Sequence, residues 1–341
     1  MSILRRLDSG ISWWLLGIWL ASLAMLSAGT PGRAAAQTPA ASEDFTFVVL
    51  GDMPYSSPEV DRHEPFRRLI ATINRVQPAF SIHVGDFKSG STLCDDATFD
   101  RIYALFMTFE QPLIYTPGDN EWTDCHRKSN GPFDPLERLE KIRTMFFPTV
   151  ASLGKTALSV TRQSDVSAFT NMVENARWVK NGILFVTVHV IGSNNNLRQN
   201  RDAALEFLAR NQANIAWINE AFNAAKAEQL QGVVLAMQAD PDFKLRHGDG
   251  SGFQETLEAL SKNAADFGKP VLLVHGDSHE FIIDQPLRHP DGKKFLDNVM
   301  RLVVFGDKHV HAVHVSVKLN DPMLFAFQPL FVPENMESLK R

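Results

Sequence analysis

The chain has 341 residues, a formal net charge of −5, 44% hydrophobic residues and 21% charged ones. That balance is ordinary for a folded domain and excludes a disordered or fibrous chain. A mildly acidic protein with no basic cluster beyond Arg127-Lys128 also argues against non-specific nucleic-acid binding.

The first residues stand apart. Arg5 and Arg6 precede an apolar stretch from Ile11 to about Leu26, and Ala34-Ala35-Ala36 follows. A positive start, an apolar middle and an Ala-x-Ala end form the signature of a secretory signal peptide. The expectation is therefore a signal peptide at 1–36, a polar tether at 37–44 and one domain at 45–335, exported to the periplasm or secreted. An uncleaved anchor is the alternative, although the apolar run falls short of the roughly 20 residues of a full span. Loss of residues 1–36 removes Arg5, Arg6, Arg33 and Asp8, a net +2, and takes the charge from −5 to −7. No stable membrane span is expected after cleavage. In an oxidising compartment Cys94 and Cys125 read first as a disulfide. A thiolate metal site is the other reading, but partners at finger spacing are missing.

Phe45 to Leu50 reads as a buried strand ending at Gly51-Asp52. Residues 61–76 carry Phe66, Leu69, Ile70 and Ile73 at helical spacing. A second strand, 80–84, ends at Gly85-Asp86. A helix over 97–109 follows, then a third strand, 112–116, ending at Pro117-Gly118-Asp119-Asn120. Residues 135–146 read as helical. Asn181-Gly182 predicts a hairpin turn, followed by a strand over 183–191 and then Gly192-Ser-Asn-Asn-Asn196. A long helix spans 201–226. A strand over 232–237 leads to Gln238-Ala-Asp240, a helix covers 252–267, and a strand over 271–274 leads to His275-Gly276-Asp277-Ser278-His279. From Phe281 to Phe331 the apolar and polar residues alternate, as antiparallel strands would. Strands alternating with helices imply a largely parallel sheet. In such sheets ligands bind at the carboxyl ends of the strands.

Three successive strands end in Gly-Asp, and a later one ends in Gly-Asp-Ser-His. A single such pair is usually a turn or a helix cap; the recurrence is not explained that way. Asp52, Asp86, Asp119, Asn120, Gln238, Asp277 and His279 are the resulting candidates, carboxylates and an imidazole with carboxamides among them, of first-row metal-ligand character. His83, His189 and His275 lie in or before strands and read as ordinary packed histidines. His309 and His311 alternate and are expected on one strand face, without an obvious carboxylate partner. Gly276-Asp277-Ser278 also matches the nucleophile block of a class of serine esterases, but it stands late in the chain. Trp122 reads equally as a pocket wall or as core.

On these residues the chain resembles the calcineurin-like metallophosphoesterases, over roughly 45–280. The family pattern is Asp-x-His, Gly-Asp, Gly-Asn-His-Asp/Glu, a later His, and Gly-His-x-His. Asp52 and Asp86 fall on the first two blocks, Gly118-Asp119-Asn120-Glu121 on the third, Gln238 near the later His, and His279 on the final His. The resemblance implies a four-layer α/β sandwich, two mixed sheets flanked by helices. It also implies an exported phosphoesterase, hydrolysing a phosphomonoester or phosphodiester of a phosphorylated small molecule by metal-activated hydroxide. Two divalent cations are implied, one on Asp52, Asp86 and His279, the other on Asp86, Asp119, Gln238 and Asp277. Pro54, Asp119, Asn120, Gln238 and Asp277 depart from the pattern, with Tyr55 beside Pro54 as a possible phenolate. The oxygen-rich set suits Mn²⁺, Mg²⁺ or Ca²⁺ better than zinc, with Fe and Zn remaining as the family's ions. Asn120 is assigned to orienting the phosphate, since a carboxamide is no general acid. The departures leave a second reading, a catalytically inactive protein of this fold that binds an anionic ligand or a protein partner. The disulfide would fasten two site-bearing loops.

Overall fold

The computed structural model describes residues 43–56, 62–197, 200–243 and 250–337. The expected signal segment and most of the tether lie outside them. Strands β1 (Phe45–Leu50), β2 (Ser81–His83) and β3 (Leu113–Tyr115) pair in parallel. Between them run α1 (His63–Val76) and α2 (Asp96–Phe106), and α3 (Pro135–Phe146) follows. Caps set the helix starts: Asp95 accepts from the Thr98 N–H, and Asp134 accepts from Leu136 and Glu137 ahead of Pro135.

The second sheet begins with β4 (Thr161–Arg162), β5 (Ala176–Lys180) and β6 (Ile183–Thr187). The β5–β6 turn is the expected one, with Asn181 and Gly182 at φ 47° and 82°. A single turn, α4 (Gly192–Asn195), then leads to the long α5 (Arg201–Ala227), β7 (Gly232–Ala236), α6 (Gln254–Phe267) and β8 (Val271–His275). The chain closes with β9 (Ile282–Asp284), β10 (Val299–Val303), β11 (Ala312–Val317), β12 (Phe325–Leu330) and α7 (Pro333–Glu337). The five-stranded sheet has the order β12-β11-β1-β2-β3, and the seven-stranded sheet β4-β5-β6-β7-β8-β10-β9.

The period of two along each buried strand assigns its residues to two layers. Phe185, Val234, Ala236, Leu272 and Val274 join the core between the sheets. Their neighbours Leu184, Val186, Val233, Leu235 and Leu273 pack with Trp217, Ile218 and Phe222 of α5 and Leu260 of α6. Phe47 and Phe80 of the first sheet meet Phe185 at 5.2 and 4.8 Å between ring centroids. On the other side α1 and α2 bring Phe66 and Phe106 against His83. The result is two mixed sheets flanked by helices.

Two expectations are corrected. The last strands are not all antiparallel, because β10 pairs in parallel with β8. Its apolar run is broken by Arg301, which imitates the alternation of a half-exposed strand. Arg301 is in fact buried, held by two bonds to Asp284 on β9 at 2.7 and 2.6 Å. His309 and His311 do not share a strand face, because both precede β11; His309 is exposed, while buried His311 accepts from the Val332 N–H through Nδ1. Among the described residues no helix is long and apolar enough to cross a membrane.

Candidate metal centre

The parallel strands β1, β2 and β3 deliver Asp52, Asp86 and Asp119 to one rim, and β7 and β8 deliver Gln238 and Asp277. Asp52, Asp86, Asp277 and His279 adopt left-handed backbone, with φ of 52°, 56°, 74° and 60°. Such residues are uncommon outside glycine and cluster at functional sites. Two glycines allow the strand tips to close in. A Cβ on Gly118 would stand 2.0 Å from Asp86 Oδ1, and one on Gly276 would stand 2.4 Å from Asp52 Oδ2.

Glu121 fastens the tips of β2 and β3. Its Oε1 accepts from the Gly118 N–H at 2.7 Å, the Asp86 N–H at 3.1 Å and the Tyr115 hydroxyl at 2.8 Å. Asp86 is the hub. Its Oδ2 accepts from Asn120 Nδ2 (2.8 Å), Tyr55 OH (3.2 Å) and Gln238 Nε2 (3.2 Å), and its Oδ1 from the Asn120 N–H (3.1 Å). Both oxygens of Asp52 accept from the Asp277 N–H, at 3.1 and 3.0 Å. Asp277 Oδ2 accepts from the Asp240 N–H.

Asp119 Oδ2 accepts from Ser193 Oγ at 2.6 Å. Ser193 sits in the α4 turn, where Ser193, Asn194, Asn195 and Asn196 are all left-handed. Asparagine tolerates that backbone better than most residues. Buried Arg210 braces the turn, donating to Asn195 Oδ1, the Asn195 carbonyl and the His189 carbonyl. The same turn places the Gly192 N–H 2.6 Å from Gln238 Oε1.

Among the described residues, one group of His, Cys, Asp or Glu is close enough to share a cation: Asp86, Asp119 and Asp277, with one oxygen from each within 4.8 Å of the others. His279 stands beside it, half-buried, with Nε2 3.3 Å from Tyr55 OH and 3.9 Å from Asp52 Oδ1. Its Nδ1 lies 3.4 Å from Asp307, which holds its proton affinity above the usual value. Burial raises Asp52 to about 8 and Asp277 to about 7. Burial, then Asp119 and Glu121, push Asp86 well above the usual carboxylate range. Lys88 places an ammonium nearby, donating to the carbonyls of Ser89 (2.8 Å) and Asn120 (2.6 Å), and burial lowers it to about 8. One ammonium does not offset this many buried carboxylates, so ionising them calls for further positive charge. Three close, hard oxygen donors fit a divalent cation of the Mg²⁺, Mn²⁺ or Ca²⁺ kind.

The sulfurs of Cys94 and Cys125 are bonded, and each lies 3.9 Å from the Asn120 carbonyl oxygen. The disulfide therefore anchors the loop that carries Asn120. It closes a loop with a separation of 31 residues, for which chain entropy gives about 3–4 kcal/mol of stability. Denaturant unfolding with and without a reductant should show a loss of that order; equal midpoints would contradict it. Trp122 is core, fully buried between His189 and Arg210. Ser278 is exposed on the loop after β8.

Lys88, Ser193 and Asp307 are site residues that the motif reading missed, and Glu121, which stands in the third motif block, has a fastening role that the motif did not assign. Tyr55 was singled out only as a phenolate; here its hydroxyl donates to Asp86. Asp307 carried a legible signal, since Gly306-Asp307 follows β10 as the other Gly-Asp pairs follow their strands.

No family profile and no curated sequence matches this chain significantly. Solved structures match it in fold. A dimetal phosphatase from Danio rerio aligns with a TM-score of 0.51 and 9% identity, over 84% of this chain and 99% of that one. A purple acid phosphatase from yellow lupin (Lupinus luteus) seeds aligns with a TM-score of 0.48 and 11% identity, over 84% of this chain and 52% of that one. The fold is that of the calcineurin-like metallophosphoesterases.

Proposed function

We propose that the chain is an exported, cation-dependent phosphoric ester hydrolase acting on a phosphorylated small molecule. The observation that carries this reading is the convergence of Asp86, Asp119 and Asp277 at the carboxyl ends of parallel strands in a phosphatase-type fold. The disulfide supports an oxidising compartment.

Asp86, Asp119 and Asp277 would hold the cation. When bound, it supplies charge that polarises a phosphoryl oxygen and acidifies an attacking water. Asn120 Nδ2 donates one N–H to Asp86 Oδ2 and the other to Tyr55 OH at 2.9 Å, and this second N–H would turn to a phosphoryl oxygen to orient it. Ser193 and Glu121 fix the carboxylates, and Lys88 offsets part of their charge. The role of Asn120 is binding and orientation, not proton donation.

Hydrolysis of p-nitrophenyl phosphate and bis-p-nitrophenyl phosphate tests this. One of the two is expected to turn over with Mn²⁺, to stop with EDTA and to resume when Mn²⁺ is restored. Folded, cation-loaded protein that hydrolyses neither would favour the binding-protein reading, for which Asn120 in place of an acidic imidazole is the specific observation.

A further inference from the structure

We infer that this centre takes one divalent cation rather than the two that the family resemblance implies. The inference rests on the proposed function and concerns the same site. A bridging carboxylate must offer an oxygen lone pair to each of two cations. Ionised aspartate has about four such lone-pair sites. Asp86 already gives three contacts from Oδ2, to Tyr55 OH, Asn120 Nδ2 and Gln238 Nε2, and one from Oδ1, to the Asn120 N–H. Oδ2 has no place left, and only Oδ1 keeps one. That place serves the Asp86–Asp119–Asp277 group.

The Gln238 side chain is fixed in the sense that excludes it as a ligand. The Gly192 N–H can only donate, so the atom facing it at 2.6 Å must be the amide oxygen. The amide nitrogen is thereby turned on Asp86 as a donor with no lone pair for a metal. Reversing the amide would set donor against donor at Gly192. The position assigned to a metal-binding residue by motif spacing therefore delivers a proton donor to the hub carboxylate.

The other half of the rim is short of converging ligands. Pro54 brings no ligand atom there. Both Asp52 oxygens face the single Asp277 N–H, which ties that carboxylate to the backbone after β8. Tyr55 OH lies between Asp86 Oδ2 and His279 Nε2 at 3.2 and 3.3 Å. Asp52, Asp86 and His279 form no second cation-sized group among the described residues. Neutral donors (Tyr55, Asn120 and Gln238) stand where a second ion would neutralise Asp86.

The test loads the full chain with Mn²⁺, removes excess ion, and reads manganese per chain by mass spectrometry and the coupling by electron paramagnetic resonance. The expected result is one ion per chain with the spectrum of an isolated Mn²⁺. Two ions per chain with an exchange-coupled spectrum would overturn the inference and leave the proposed hydrolysis standing. Folded protein that binds none would overturn both. Asp277→Asn is expected to lose the ion and Asp52→Asn to keep it; the reverse pattern would place the ion in the other half and overturn the assignment.

Discussion

Asp86→Asn is expected to lower cation-supported hydrolysis by on the order of 10³-fold, equivalent to about 4 kcal/mol of transition-state stabilisation. The change keeps the shape of the side chain and removes its charge. It also removes one acceptor oxygen, so an amide nitrogen must face Asn120, Gln238 or Tyr55, which all donate to this position. Cation binding should fall with the activity. Stability in the cation-free protein should change little, because removing a buried charge from among neighbouring carboxylates opposes the cost of the misplaced amide N–H. Steady-state kinetics and thermal melts in EDTA read the two effects separately. Turnover within a few-fold of wild type would contradict the role given to Asp86.

Glu174→Gln is expected to cost about 3–5 kcal/mol, as breaking a buried ion pair does. Glu174 is fully buried. It takes two bonds from Arg143 of α3, at 3.1 and 2.7 Å, and one contact from His189 Nδ1 at 2.8 Å. In glutamine one oxygen becomes a donor, which must face Arg143 or His189. The damage spreads toward the site, because the His189 carbonyl receives Arg210, the brace of the α4 turn. Burial alone would raise the Glu174 pKa, but the Arg143 charge and the His189 bond outweigh it and hold the group well below its usual 4.5. A depressed carboxylate contributes stability above its unfolded pKa and loses it as pH falls toward the folded value. The penalty should therefore be full near neutral pH and shrink below about pH 4.5. Urea unfolding of both proteins at the two pH values measures this; a penalty that grew on acidification would contradict the ion-pair account.

The rim was legible in the sequence because parallel strands end where the chain must turn, and Gly-Asp marks that point with both a turn and a carboxylate. Asp52, Asp86, Asp119 and Asp277 were found that way. Asp307 was passed over for a physical reason: buried Arg301 disguised β10 as an antiparallel strand, so the Gly-Asp after it did not register as a strand end at the rim. The partner of Arg301 is Asp284, on a neighbouring strand that no local pattern connects to it. Gln238 shows a different limit. Its position was evident from spacing, but which end of its amide faces Asp86 is decided by the Gly192 N–H, 46 residues away in sequence. Lys88 and Ser193 likewise act through contacts with a carbonyl and a carboxylate in the loop after β3, distant from both in sequence. Strand-end geometry is local and periodic, whereas the hydrogen-bond supply of a carboxylate is tertiary.

Anomalous scattering from crystals soaked in Mn²⁺ tests the central claim most directly. The account predicts a peak within coordination distance of Asp86, Asp119 and Asp277, abolished in Asp86→Asn. A peak held by Asp52 and His279 instead, or none at the rim in a folded crystal, would contradict it.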